Sequence, residues 1–319
     1  MQKLRFMLWM LLIGLFICDA GSMSAQSYPS KPIRLVTPGI GGSADFVARL
    51  IAQGISGPLG QQVVVDNRSS GSIPGQIVSK ASPDGYTLLL GGPPLWIGSL
   101  LQNVPYDVFR DFSPITLATS VPNLLVVSPS LPVGSVPELI TLAKAKPGEL
   151  NYASSSTGGS AHLAAELFNS MAGTHIVHIP YNGNGPALND LMGGRVQLMF
   201  AVAAVVMPHV KSGRLKALAV TSAKPSILLP EFPTVAASVP GYEATTTYSV
   251  LAPANTPAAI IQRLNQEIVR ALNRTDVKER FLNAGVEVVG SSPEILATAM
   301  KSEFSRFGKV IKDAGIRMN

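Results

Sequence analysis

Ile33-Arg34-Leu35-Val36-Thr37-Pro38-Gly39-Ile40-Gly41-Gly42-Ser43-Ala44-Asp45 reads as a strand over 33–37, a Gly-rich turn over 38–42 and the opening of a helix. Val47, Leu50 and Ile51 follow at the i, i+3, i+4 spacing that puts apolar side chains on one helix face. A helix N-terminus presents unpaired N–H groups and the positive end of the macrodipole, and both favour an anion. Gly41 and Gly42 let the backbone approach a ligand with no Cβ in the way, and Ser43 can cap the helix or donate its hydroxyl.

The same alternation recurs outward from this unit. Strands are expected at 62–65, at 86–90 after the Pro83-Asp84-Gly85 turn, and at 151–154, 196–200 and 215–221. Ala164, Leu167, Phe168 and Met171 mark one further helix face. Ile260, Leu264, Ile268 and Leu272 mark another, with Thr256 as cap and Pro257 at the first helical position. A last helix is capped by Ser292, continues from Pro293 and ends near Gly315. Strands alternating with helices predict an α/β protein whose parallel sheets are covered on both faces. Two apolar runs, 124–128 and 247–252, are placed to carry the chain between two lobes. On that reading residues 26–124 and 249–319 form lobe 1, and residues 125–248 form lobe 2.

Hydrophobic residues make up 46% of the chain and charged residues 14%, ample for a core and too apolar for disorder. Lys3 and Arg5 precede an apolar run over 6–18, and Ser22, Ser24 and Ala25 follow. That is the layout of an export signal at 1–25, with a run short of the ~20 residues a permanent span needs. The chain is therefore expected to be exported. Removing Lys3, Arg5 and Asp19 from 25 basic and 19 acidic residues leaves 23 and 18, net +5. Cys18, the only cysteine, leaves with them, so the mature chain has no thiol nucleophile and no thiolate metal site. The mild positive excess suits attraction of anions, while the scattered Lys and Arg argue against a nucleic-acid partner.

Ser154-Ser155-Ser156-Thr157-Gly158-Gly159-Ser160 again leads from a strand into a helix. One such loop per lobe gives two helix N-termini able to donate to the same carboxylate across a cleft, at the carboxyl ends of parallel strands. A rival reading comes from Gly39-x-Gly41-x-x-Ala44, which follows a strand and matches the dinucleotide fingerprint, with Asp66 ending the next strand. The export signal without a twin-Arg pair, and Pro38 directly before the motif, weigh against that exported oxidoreductase. No G-x-S-x-G elbow is present. His175 and His178 lack a nearby acidic partner, and His162, in the first turn of its helix, reads as packing or polar lining. No catalytic residue, metal ligand or cofactor is assigned, and a monomer is expected.

Further motifs run through the whole mature chain. The first lobe carries Tyr28-Pro29-x-Lys31-Pro32-Ile33-x-Leu35-Val36, Gly60-Gln61-x-Val63-Val64-Val65-Asp66-Asn67-Arg68 and Pro83-Asp84-Gly85-Tyr86-Thr87-Leu88. His162-Leu163-Ala164-x-Glu166-Leu167-Phe168, Pro180-Tyr181-x-Gly183-x-x-Pro186-Ala187 and Ala252-Pro253-x-x-Thr256-Pro257 continue the series. As a set they resemble the Bug-type substrate-binding proteins of tripartite tricarboxylate transporters. The resemblance implies a type II periplasmic-binding fold, two α/β lobes with a hinge that close on a ligand in the cleft between them. It implies a small organic acid or amino acid as ligand, membrane transporter subunits as partners and no enzymatic activity. Carried over by position, it implies ligand contacts from Gly39, Gly41, Gly42, Ser43 and Asp45, and opposite them from Ser156, Thr157, Gly158 and His162. Tyr181 and Asn182 join from a further loop, and for Asp45 a role at the helix N-terminus is favoured over a ligand amine. A ligand sensor for a two-component system would use the same fold.

This chain departs from the family pattern in four places. Ile40-Gly41-Gly42 stands where Pro-Gly-Gly is usual, Gly91-Gly92-Pro93-Pro94-Leu95-Trp96 replaces a small-residue stretch, 201–207 is wholly apolar, and Tyr248 replaces an expected Trp. Pro93, Trp96 and the 201–207 run are expected to shape an apolar end of the pocket. The expected ligand therefore carries one carboxylate on a hydrophobic or aromatic body.

Overall fold

Residues 28–68 and 72–317 are described in the computed structural model, and the expected export signal at 1–25, with Cys18, lies outside them. β1 (Ile33–Pro38) sends Ile33 and Leu35 into one apolar cluster and Val36 into another, and all three are buried. A strand buried on both faces needs helices on both, and the chain supplies them in order. α1 (Ser43–Leu59), β2 (Val63–Arg68), α2 (Ile73–Ser79), β3 (Thr87–Gly91), α3 (Pro93–Leu101) and β4 (Phe112–Val121) complete the first passage. The second runs through β5 (Asn123–Val127), α4 (Val136–Ala145), β6 (Asn151–Ser154), α5 (Ser160–Ala172), β7 (Val177–Pro180), α6 (Asn184–Met192), β8 (Leu198–Val202), α7 (Ala203–Lys211) and β9 (Lys216–Val220). A 3-10 turn (Val235–Ala237) precedes β10 (Thr246–Pro253), α8 (Ala258–Leu272), α9 (Thr275–Asn283), β11 (Glu287–Val288) and α10 (Pro293–Asp313).

Two sheets result, ordered β2-β1-β3-β10-β4-β11 and β7-β6-β8-β5-β9. The first three strands of each are mutually parallel, and the next, β10 or β5, runs antiparallel to them. The sheets are therefore mixed, where alternation alone predicts parallel ones. The cause is the exchange of strands: β4 leads through Pro122 directly into β5 of the other sheet, and β10 is the return strand. The apolar runs at 124–128 and 247–252 supply these two strands, β5 and β10. The two crossings are tied together, since Asn123 Nδ2 donates to the Ala244 carbonyl at 3.0 Å and Thr221 Oγ1 donates to the same oxygen at 2.8 Å.

Three apolar clusters follow from this layering. One, including Ile33, Leu35, Val47, Ile51, Leu264 and Ile268, joins the first sheet to α1 and α8. A second starts from Val36, Leu89 and Leu251 of the first sheet, passes Leu296 and Phe307 of α10, and reaches Leu125, Tyr152 and Phe200 of the second. The third, around Leu124, Val126 and Met199, lies against the second sheet's other side. α10 thus packs against both units. It begins as read from sequence, with Ser292 Oγ accepting the Ile295 N–H. α8 begins one residue later than read, because the Thr256 hydroxyl donates back to the Pro253 carbonyl at 2.7 Å and does not cap the helix. The stretch from Gly91 to Trp96, which departs from the family pattern, is the end of β3 and the first turn of α3, whose two leading prolines suit helical φ.

Candidate ligand-binding site

The parallel strands β1, β3, β6, β7 and β8 each deliver the chain into a helix, so their carboxyl ends gather loops and helix N-termini, the place this architecture puts ligands. In the β1–α1 loop Gly39 and Gly41 have φ of 43° and 79°, a backbone that side chains disfavour. The loop is pinned from behind. Asp45, 5% exposed, accepts the Gly41 N–H at 3.0 Å, Asn67 Nδ2 at 2.9 Å and Arg49 Nε at 2.9 Å. Asn67 also donates to the Gly39 carbonyl at 2.9 Å. Burial alone would raise the Asp45 carboxyl, but hydrogen bonds from Arg49, Gly41 and Asn67 with the Arg49 charge outweigh it and hold it below the usual range. Its oxygens are committed to the protein.

The front of the loop is open. Gly42 is the N-cap of α1, no side chain caps that helix, and 39–43 are exposed. The first-turn N–H groups have no partner inside a helix by geometry. Ser43 does not cap the helix, and burial raises the hydroxyl of Tyr248, which lines a cavity together with Pro38 and Ala44 of this loop.

The β6–α5 loop repeats the plan. Gly159 is the N-cap of α5 without a side-chain cap, and Gly158 has φ of 73°. The Gly158 N–H donates to His162 Nδ1 at 2.9 Å, so the same position of the first helical turn reaches back four residues in both loops, from Asp45 and from His162. His162 is buried and stacks on His178 with ring centres 3.8 Å apart. Burial first, and then the charge of His178, push its pKa down to about 4, so it accepts that N–H as a neutral ring. Ser154 Oγ donates to the Ser156 carbonyl at 3.0 Å and lies 2.7 Å from His178 Nε2. The β7–α6 loop is laced to this one by Tyr181 N–H to Ser154 O at 2.9 Å and Gly183 N–H to Ser155 O at 3.0 Å.

The residues anticipated from sequence therefore divide by place. Gly39, Gly41, Gly42 and Ser43 are exposed on the first loop, and Ser156 and Thr157 are exposed on the second beside the half-buried Gly158. Asn182 is exposed on the third loop, while Tyr181 turns its hydroxyl to Asp190 at 2.8 Å. Asp45 and His162 stand behind their loops. Trp96 is only 1% exposed and donates its indole N–H to Glu303 of α10 at 2.7 Å. Asn67, Ser154 and His178 bond the loops themselves and Tyr248 lines the cavity beside the first, and none of the four is among the contacts expected from sequence. Asn67 had a usable signal, since β1–β2 pairing sets it beside Thr37 at the mouth of the loop.

Two cavities border these loops. One of about 250 Å³ is reached past Pro38 and Ala44 and walled by α2, the β3–α3 turn and the start of β10. The other, about 710 Å³, lies among Thr157, His162, Glu166, His178 and the end of α10. Among the described residues no three His, Cys, Asp or Glu side chains converge as a metal site requires. The dinucleotide reading needs Asp66 free to meet a ribose, whereas Arg34 and Arg68 both hold its carboxylate.

Residues 47–316 match the family described as Tripartite tricarboxylate transporter family receptor, TctC. Protein BugT of Bordetella pertussis is 38% identical over 316 residues, covering 96% of this chain and 97% of its own. Rpa4515 of R. palustris, solved with adipate, is 39% identical with a TM-score of 0.72, covering 91% of this chain and 99% of that one. The periplasmic binding protein BugD is 31% identical with a TM-score of 0.69, covering 92% and 100%. The type II periplasmic-binding fold expected from the motifs is thus the fold observed, and the chain belongs to the TctC family of Bug-type solute-binding receptors.

Proposed function

We propose that this protein captures a small organic carboxylate in the periplasm, between lobes that meet near 124 and 249, and delivers it to the membrane subunits of a tripartite transporter. The observation that carries the reading is the pair of loops at the strand ends. In each, a Gly N-cap leaves the first helical turn without a side-chain cap, while a side chain behind the loop takes one Gly N–H and fixes the turn. Among the described α-helices only α4 and α10 carry a side-chain cap, on Ser135 and Ser292, so what sets α1 and α5 apart is the glycine turn braced from behind by Asp45 or His162. Two uncapped N-termini suit the two oxygens of one carboxylate, each end adding favourable dipole and hydrogen-bond energy. Lobe closure about the paired crossings is then the only mechanical step. Adipate in Rpa4515 supports the ligand class, and the committed oxygens of Asp66 speak against the oxidoreductase alternative.

Thermal unfolding of the purified mature protein against hexanoate, benzoate, adipate, citrate, glutamate, NAD and FAD tests the reading. Ligand at a hundred times its Kd adds ~2.7 kcal/mol by mass action, a clear rise in midpoint. A rise with one or more carboxylates is expected. A rise with NAD or FAD alone overturns solute capture in favour of a dinucleotide enzyme. Delivery is tested separately, by ligand-dependent association with reconstituted transporter subunits.

A further inference from the structure

We propose that the cavity of about 250 Å³ beside the first loop receives the apolar body of the ligand, and that this receptor selects monocarboxylates over dicarboxylates of the same length. The proposal rests on the capture reading above and names its substrate class.

The chamber is continuous with the anion end, since Pro38 and Ala44, which flank the first loop, belong to its wall. Pro74, Pro93, Pro94 and Tyr248 line it further in, and no Lys, Arg or His does. The helix that ends in it is the decisive feature. α3 has Gly92 as N-cap with no side-chain cap, and its first two residues are Pro93 and Pro94, which have no N–H. The first N–H that α3 owns, that of Leu95, is already bonded to the Gly92 carbonyl at 2.9 Å. α1 and α3 therefore start at the same edge of one sheet with opposite character: α1 offers donors, α3 offers proline rings. A second carboxylate lodged there would lose its water, meet no cation and no N–H from the start of α3, and find only the hydroxyls of Thr246, Thr247 and Tyr248, a costly exchange for a charge. A hydrocarbon body would gain from the same surface.

The wall cannot readily yield. A Cβ on Gly92 would stand 2.3 Å from the Thr247 carbonyl oxygen, and one on Gly75 would stand 2.6 Å from the Tyr106 ring. The β3–α3 turn is thus pressed onto the backbone of β10, and the chamber keeps its shape. Its volume lies below the roughly 300–1,000 Å³ of whole small-molecule pockets, which suits one ring or a short branched chain attached to the captured carboxylate. Trp96 and the 201–207 run, expected to form this end, take no part in it, and their place is taken by Pro74, Pro94 and Tyr248.

Isothermal titration calorimetry with matched pairs, hexanoate against adipate and benzoate against terephthalate, tests the assignment. Each monoacid should bind about tenfold tighter than its diacid, or better. Ala44→Leu, which narrows the chamber while keeping its backbone N–H, should weaken benzoate more than it weakens propionate. Pro94→Ala, which returns one N–H to α3, should narrow the gap between hexanoate and adipate, and serves alone if the first variant fails to fold. Diacids bound as tightly as monoacids, or more tightly, overturn the chamber and leave carboxylate capture standing. No binding by any acid at millimolar concentration sinks capture itself and the chamber with it.

Discussion

Substituting His162 by Asn should expose a pH dependence that the wild-type chain conceals. His162 receives the Gly158 N–H on Nδ1 and is stacked on His178, so a second proton would expel its donor and place charge in a buried site. Its pKa falls from 6.5 to about 4, through burial and then the neighbouring His178, whose own ring is also lowered by burial. Tyr152, Glu166, His175, Asp313 and Arg317 border the same ring or its cavity. Between pH 6.5 and 4 the unfolded chain binds the proton that the folded chain refuses, so this contribution is whole above about pH 6.5 and is lost as pH falls. At pH 5 the loss is about 2 kcal/mol. Glu303 acts in the opposite sense. Its carboxyl lies in a cavity of about 90 Å³ with Trp96, Arg306 and Glu243. Burial raises it from 4.5 to about 7, against the lowering pull of Trp96 and Arg306 and with a further push from Glu243. Between those values the folded chain holds the extra proton, so stability is gained as pH falls, by about 2.5 kcal/mol at pH 5. Carboxylates held low, such as Asp45 and Asp66, release their contributions only below about pH 4 and stay outside this window. The contributions of His162 and Glu303 largely cancel, with His178 adding in the same sense as His162, so wild-type stability should change far less between pH 8 and 5 than that of either variant. His162→Asn, whose amide oxygen can accept from Gly158 without titrating, should become about 2 kcal/mol more stable over the same interval. Glu303→Gln should become less stable by a similar amount. Urea unfolding followed by circular dichroism at both pH values measures this directly. Parallel pH profiles for wild type and both variants would refute the reasoning.

Asp45→Ala removes the common acceptor of Gly41, Asn67 and Arg49 and should cost about 2 kcal/mol in urea unfolding, with carboxylate affinity falling alongside; Asp45→Asn should fall between that and wild type. Gly92→Ala drives a Cβ into the Thr247 carbonyl, and a lowered thermal midpoint worth about 1–3 kcal/mol is expected; an unchanged midpoint would mean that the β3–α3 turn can shift. Ser292→Ala, which strips the N-cap of α10, should cost about 1 kcal/mol without altering ligand affinity.

Local signals carried most of the fold. β1, α1, β3 and α10 follow from turns, caps and apolar spacing within a window of a few residues, whereas sheet order is set by which strand crosses between the units, and that leaves no mark in any window. The site divides along the same line. The Gly-rich loops were legible because strand, glycine and helix adjoin in sequence. Trp96 reads as a pocket residue until its partner Glu303 appears, 207 residues away. His162 meets His178 only because β7 pairs with β6, and Asn67 meets Asp45 across 22 residues through β1–β2 pairing. These contacts change what the side chains are for. Asp45 and His162 occupy equivalent positions and each accepts a Gly N–H four residues back, yet one is a carboxylate and the other a neutral ring. A bare carboxylate behind an anion site would repel the ligand, and Arg49, bonded to Asp45 at 2.9 Å, offsets that charge where it arises. The second loop needs no such counter-ion, because its brace is held uncharged. Both loops are thus braced without net negative charge behind them, which is the electrostatic condition that the proposed capture of an anion requires.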